Sequence, residues 1–238
     1  MAIEAFRYYT DWHDWMNRNR YAEPADPWNL IHVDPDALTE YMTVSLKWGL
    51  GRVRGGRWDR TGREVLAETK LYSGLEDRYA DGEPWEETAY YEWGQEKLDG
   101  AESFRGCADI EEFVDRRCAA LDELVADLRT EGYRSNYGRL YDSPSELDYI
   151  TQMEPIALVD RNGDLLLTEG YHRVILGQLL GVESIPVHVL RRHEQWQRVR
   201  DAVHDDGVVT TDGVTRSHPD LQDVHPSADG TPPTRIDA

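Results

Sequence analysis

Residues 155–190 read PIALVDRNGDLLLTEGYHRVILGQLLGVESIPVHVL, and their pattern changes character every few residues. Ile156 to Val159 is a short apolar run bounded by turn residues, as a buried strand would be. Asn162-Gly163 is a strong hairpin signal, because both residues tolerate positive φ. Leu165-Leu166-Leu167-Thr168-Glu169 supplies the returning strand. Val174, Ile175, Leu176, Leu179 and Leu180 then recur at helical spacing, and Gly181 ends the helix. Ile185 to Leu190 is a further strand, and RRHEQWQRVRDAV (191–203) reads as a closing helix. The order is strand, strand, helix, strand, helix.

Between the second strand and its helix stand Glu169, Gly170, Tyr171, His172 and Arg173. A helix N-terminus presents unpaired N–H groups and about half a positive charge, so it attracts anions. Gly170 lets a ligand approach the backbone without a Cβ in the way. A cation in the first turn opposes the helix dipole, so Arg173 is unfavourable there unless an anion compensates. Arginine grips two phosphate oxygens at once, and histidine adds a donor. The turn therefore reads as a phosphate cradle. The competing reading is structural: Arg173 pairs with Glu169 or another carboxylate, and His172 is a satisfied buried histidine.

Outward from this unit, residues 1–28 form an aromatic segment with Tyr8, Tyr9, Trp12 and Trp15, expected as an amphipathic helix whose rings pack on the body. Leu30 to Val33 is a short strand. Asp34 caps a helix expected from Pro35 through Tyr41. GLGRVRGGRWDR (49–60) is rich in glycine and arginine, and suits either an anion-wrapping loop or a twisted hairpin with solvated arginines. Helices are expected up to Tyr79, after Pro84, and over 109–131, where apolar residues recur at three and four. Ser143-Pro144-Ser145-Glu146 opens another. Residues 205–238 carry few large apolar groups, so the tail is expected to be disordered; docking of SHPDLQDV (217–224) as a short linear segment is the less favoured alternative.

With 238 residues and 39% hydrophobic content, the chain suits one large domain with appendages. Net charge is −20, and only Lys47, Lys70 and Lys97 are lysines among the 26 basic residues. That composition resembles the cytoplasm of salt-accumulating halophiles, where carboxylates hold hydration and salt screens their repulsion. It disfavours DNA binding through the general surface, though a local arginine patch stays open. Cys107 and Cys118 match no metal spacing and read as small buried hydrophobes. The first residues lack a signal peptide's basic end and apolar stretch, and no apolar run approaches a membrane span. A soluble, cytoplasmic protein is expected. No His-x-x-x-His or paired-Cys pattern suggests a metal site.

The segment from Glu154 to Arg200 resembles the ParB/sulfiredoxin superfamily. The likeness rests on the strand pair around Arg161-Asn162-Gly163, on Gly170-Tyr171-His172-Arg173, and on the Ile185-Pro186-Val187 strand. GGRWD (55–59) and RYADGEPWEETAYY (78–91) resemble ParB-like proteins of viruses and plasmids. The resemblance implies an α+β fold: a small mixed sheet with helices over 29–204 and a large helical insertion at about 60–150. It also implies a turn used for nucleotide phosphates, with ATP or CTP as ligand and Mg²⁺ as companion ion. Where sulfiredoxins carry a cysteine this chain has Tyr171, so the thiolate repair chemistry is not expected. A helix-turn-helix followed by a dimerisation domain, as in partition proteins, is missing from the pattern.

Three functions are open on this reading. The first is a nucleotide-binding switch or phosphotransferase. Gly170, Tyr171, His172 and Arg173 would hold phosphates, with Arg52 and Arg54 closing over them. Glu169, Asp59 or Asp34 would act as base or hold metal. The second is a DNA-binding or nuclease protein using Arg52, Arg54, Arg57, Arg191, Arg192, Arg198 and Arg200. The third is a non-catalytic interaction protein. Oligomeric state is not readable.

Overall fold

A computed structural model describes residues 3–135, 153–206 and 217–224. The fold is α+β, built on a mixed seven-stranded sheet. In chain order the elements are α1 (Ile3–Arg18), β1 (Ile31–Val33), β2 (Glu40–Tyr41), β3 (Arg52–Arg54), β4 (Glu64–Val65), α2 (Lys70–Glu76) and α3 (Ala89–Asp99). There follow α4 (Ile110–Phe113), α5 (Ala119–Glu131), β5 (Ile156–Val159), β6 (Leu165–Glu169), α6 (Tyr171–Leu179), β7 (Ile185–His193) and α7 (Glu194–Asp206). The helix expected from Ser143 lies outside the described residues.

The strands lie in the order β1-β7-β5-β6-β2-β4, and β3 pairs with the second half of β7. β5 and β6 form the expected antiparallel hairpin, while β5 runs parallel to β7. The hairpin closes around Asp160, whose Oδ1 accepts from the amides of Asn162 at 2.7 Å and Asp164 at 2.9 Å. Gly163 sits at φ 99°, and a Cβ there would meet the Trp196 ring at 2.4 Å. Glycine is therefore required by packing as well as by backbone conformation.

One sheet face carries the larger core. Val174, Ile175 and Leu176 of α6 join Leu75, Tyr90, Phe113, Leu121, Val125 and Trp196 there. The insertion thus docks through the apolar stripe read at three- and four-residue spacing. A π-turn at Val114–Cys118 links α4 to α5, and Cys107 and Cys118 are buried and free. The opposite face is thinner. Phe6 of α1 packs with Met42, Leu50, Leu158, Leu166 and Leu190.

Several expectations need correction. Pro35 opens only a 3-10 turn, Pro35–Ala37, and Glu40–Tyr41 then becomes β2, parallel to Leu166 and Leu167. The open edge of β6 outweighs local helix propensity. Residues 52–54 form a strand beside β7 rather than a hairpin or a loop. Arg191, Arg192 and His193 extend β7, so the last helix begins at Glu194. The rings of α1 do not all pack inward: Tyr8 is 65% exposed and Trp15 61%. Phe6 supplies the buried contact instead, with 0% exposure.

The expected disorder fails for residues 217–224. Asp220 is fully buried, with carboxylate oxygens 2.6 Å from Arg192 Nη2 and 2.8 Å from Trp196 Nε1. Arg200 donates to Asp220 O and to Asp223. Leu221 and Val224 enter the larger core. Burial alone would raise the Asp220 carboxyl, but Arg192 and Arg200 overturn that and hold it at about 2. A polar segment docks here because guanidiniums wait for it, which apolar content alone does not report. Among the described residues no helix is long and apolar enough to cross a membrane.

Candidate functional site

α6 begins where β6 ends, and Gly170 makes the corner in the left-handed region at φ 88°. A Cβ on Gly170 would lie 2.7 Å from the Pro155 Cα, so only glycine lets β6 turn this tightly against the start of β5. Arg173 and Val174 donate their amides to Gly170 O, at 3.1 and 3.2 Å. No side chain caps the helix. The first-turn amides of Tyr171 and His172 therefore remain available to an incoming acceptor.

Gly170, His172 and Arg173 line one cleft of about 210 Å³. Its other wall comes from the insertion: Arg117, Ala120, Leu121 and Leu124, with Met153 at the base. Tyr171 turns the other way and packs edge-on against Tyr41, ring centres 5.5 Å apart. Arg173 Nη1 is 3.2 Å from Glu154 Oε2. Glu154 is buried and also accepts from the Tyr133 hydroxyl and the Ser135 hydroxyl, both at 2.7 Å. Its charge is thus spread over three donors, and it fixes Arg173 at the mouth of α6 rather than filling the cleft.

His172 and Arg117 carry the electrostatic signature. The His172 Nε2 lies 3.4 Å from the Tyr90 hydroxyl. Burial first, then the charges of Arg105 and Arg117, push the imidazole down to about 3, so it is neutral at physiological pH. Arg117 Nε is buried and has no hydrogen-bond partner. Among the described residues neither Arg105 nor Arg117 has a carboxylate within ion-pair distance. In a chain with 46 acidic residues, that is unusual company for two arginines and a histidine. Arg105 stands in a tight turn, at φ 51° before Gly106 at φ 79°, with Phe104 and Cys107 exchanging amide bonds across it. Positive φ at both central residues is what a type I′ turn demands. The Arg105 guanidinium rests 5.5 Å from the Trp93 ring centre.

The expected residues divide. Glu169 ends β6 at the cleft rim and is exposed; crowding raises its carboxyl and Arg105 opposes the shift. Asp34 caps its turn through the Asp36 amide at 2.9 Å, alongside the far half of α6, where Pro35 faces Gly177. Asp59 is fully buried against Arg161, at 2.6 and 2.7 Å, beyond the hairpin loop. Burial would raise the Asp59 carboxyl, but Arg161 holds it at about 2. Arg52 and Arg54 lie beside Arg191 and His193, whereas Glu169 pairs with Ile156 at the level of His188. Arg52 and Arg54 are away from the cradle because the parallel β3–β7 register sends their strand to the other end of the sheet; Asp59 follows that strand to Arg161, and Asp34 sits at the far half of α6. Arg117, Arg105, Tyr90 and Glu154 are the residues that reasoning along the sequence missed. Only the basic pair Arg116-Arg117, within an otherwise apolar-periodic helix, hinted at them.

Among the described residues no group of three or more His, Cys, Asp or Glu is arranged to hold a metal ion. Among the described residues, Glu169 beside the cleft has no ion-pair partner, while Glu154 is taken up by its donors. Hard cations such as Mg²⁺ demand several oxygen ligands, so this donor set does not fit a resident ion. Comparison of the chain with protein-family models, with curated proteins and with solved structures finds no match.

Proposed function

We propose that the cleft at the start of α6 binds the phosphate end of a nucleotide, and that the chain is a member of the ParB/sulfiredoxin superfamily acting as a nucleotide-dependent switch or phosphotransferase. The observation that carries the reading is Arg117: a guanidinium with a buried, unpartnered Nε, facing a glycine-opened helix start and His172. Leaving a buried N–H without an acceptor is costly, and an oxyanion removes that cost. About 210 Å³ is smaller than a site for a whole nucleotide, which suits phosphates held inside with sugar and base outside. The neutral imidazole donates one N–H without adding charge, while Arg117 supplies the charge and Arg173, paired with Glu154, adds N–H donors. Glu169 at the rim is the carboxylate best located to accept a proton from an attacking hydroxyl or water. The motif Gly170-Tyr171-His172-Arg173 and the mixed sheet support membership; the sulfiredoxin thiolate has no counterpart at Tyr171.

Thermal unfolding in concentrated KCl with ATP, CTP, ADP or tripolyphosphate tests this. Ligand at about a hundred times its dissociation constant adds about 2.7 kcal/mol, a rise of several degrees in a domain of this size. Arg117→Gln and His172→Ala abolish the rise, and Glu169→Gln keeps it while removing any turnover. No shift with any of these ligands at millimolar concentration sinks the proposal.

A further inference from the structure

The far end of the sheet gathers a second group of arginines that the cleft does not use. Ala157 pairs with Val189 but Leu158 pairs with Arg191, so Leu190 is an extra residue, a bulge in β7. A bulge reverses the facing of the residues beyond it. Arg192 is thereby sent to the larger core face, where it meets Asp220, and Arg191 to the opposite face, where its guanidinium lies 5.1 Å from the Trp58 ring centre. β3 runs alongside with Arg52 next to Arg191 and Arg54 next to His193. Two-residue periodicity then puts Arg52, Arg54 and Arg191 on one face.

These cations lack counter-charges. Arg191 is only 7% exposed, yet its Nε has no hydrogen-bond partner. Among the described residues, Arg52, Arg54, Arg191 and Lys47 have no carboxylate within ion-pair distance. Two acids beside the group are committed elsewhere: Asp59 to Arg161 and Glu194 to Arg20. Burial chiefly, and then the charges of Arg52 and Arg54, pull the Arg191 guanidinium down to about 10. Aromatic rings interleave with the charges. Lys47 Nζ and Arg52 Cζ lie 4.9 and 5.9 Å from the Trp48 ring centre, and Tyr9 packs edge-on against Trp48 at 5.1 Å. Trp48 is 37% exposed and Trp12, one residue from His13, 45%. His13 is close enough to Arg52 and Arg191 to be lowered by both, after burial and against its bond to Leu50 O.

An acidic peptide would satisfy the guanidiniums and leave the rings wet. An apolar partner would cover the rings and bury the guanidiniums unpaired. A polyanion with flat, exposed bases satisfies both, and a duplex hides its base faces. We infer that this face binds single-stranded nucleic acid, with phosphates on Arg52, Arg54 and Arg191 and bases stacked on Trp48 and Trp12. The local patch outweighs the negative net charge because the interaction is made within a Debye length.

Fluorescence anisotropy of a labelled oligothymidylate of about 12 nucleotides tests the inference on the full chain. The expected dissociation constant is micromolar in about 0.1 M KCl, falling off with a log–log salt slope of about −2. The R52Q/R54Q/R191Q variant binds at least about tenfold more weakly with a flatter slope. Trp48→Ala, with an unchanged urea midpoint as the control for folding, costs about fivefold or more. Arg117→Gln leaves strand binding unchanged, which separates this face from the cleft. The inference is overturned if the strand does not bind at about 100 µM, or if a duplex of equal length binds as well. It also falls if polyglutamate displaces the strand while Trp48→Ala has no effect, since that outcome assigns the face to acidic peptides.

Discussion

Arginines collect at the 217–224 clasp and at the mouth of α6, but the two regions settle their charge differently. In the clasp, Arg192 and Arg200 are almost wholly buried and find Asp220 and Asp223 within 2.6 to 3.0 Å. At the cleft, Arg117 keeps a buried nitrogen with no partner, and the Arg105 guanidinium rests against a ring. Carboxylates outnumber basic side chains 46 to 26, so pairing is the default outcome for an arginine here. An arginine that escapes it reports a site whose anion comes from outside. The clasp is architecture, the cleft is proposed as a receptor, and substitution should separate them.

The largest expected effect is at the clasp. Asp220→Ala leaves the Arg192 guanidinium buried and uncompensated and Arg200 with Asp223 alone, which costs about 3–5 kcal/mol. Urea denaturation should show it as a lower midpoint with unchanged slope. A loss below about 1 kcal/mol would mean that 217–224 merely rests on the surface, and the contrast with the cleft would lose one side.

Acid should expose the same asymmetry with a smaller amplitude. Asp220 and Asp59 are both held at about 2, below the usual carboxylate value near 4. A depressed carboxyl contributes stability above its unfolded value and loses it as pH falls through the folded one. The window therefore runs from about pH 4 to about pH 2, and each group contributes on the order of 2 kcal/mol. Asp220→Asn should flatten the stability curve there. His172 acts over an earlier and wider window: its imidazole is held at about 3 against an ordinary 6.5, so stability is also lost as pH falls from about 6.5 to about 3. Bound phosphate should instead raise the His172 pKa, a shift readable by NMR titration of its ring protons. A His172 pKa that ligand does not move would detach the imidazole from the anion.

How much of this contrast the sequence carries depends on the range of the interactions. The hairpin, α6 and most of β7 follow from local rules: period two, Asn162-Gly163, then period three to four ending at Gly181. Gly170 was legible as the corner before α6, whereas Arg173 follows the competing structural reading, since a carboxylate of the chain, Glu154, answers the cation at the helix start. β2 was not, since a two-residue strand exists only by virtue of the edge it joins. The docking of 217–224 was hidden because its anchor is one buried aspartate and not an apolar pattern. Arg117 was hidden for the same reason in reverse: it belongs to a helix roughly fifty residues upstream, brought to the cradle by packing alone. The exposed rings of α1 were misread as core because an amphipathic stripe does not say which face the body will offer.

The smallest expected change in stability is also the most informative. Arg117→Met keeps the length of the side chain and removes the buried nitrogen that lacks a partner. Relieving such a group returns up to about 1 kcal/mol, so the variant should unfold at the same urea concentration as the parent or slightly above it. The same substitution should abolish stabilisation by tripolyphosphate. Stability kept and binding lost is the pattern of a residue retained against the interest of the fold. A drop of more than about 1 kcal/mol would show that Arg117 is satisfied within the protein after all. Asp220 and Arg117 would then belong to one class, and the unpaired guanidinium would no longer point to an external anion.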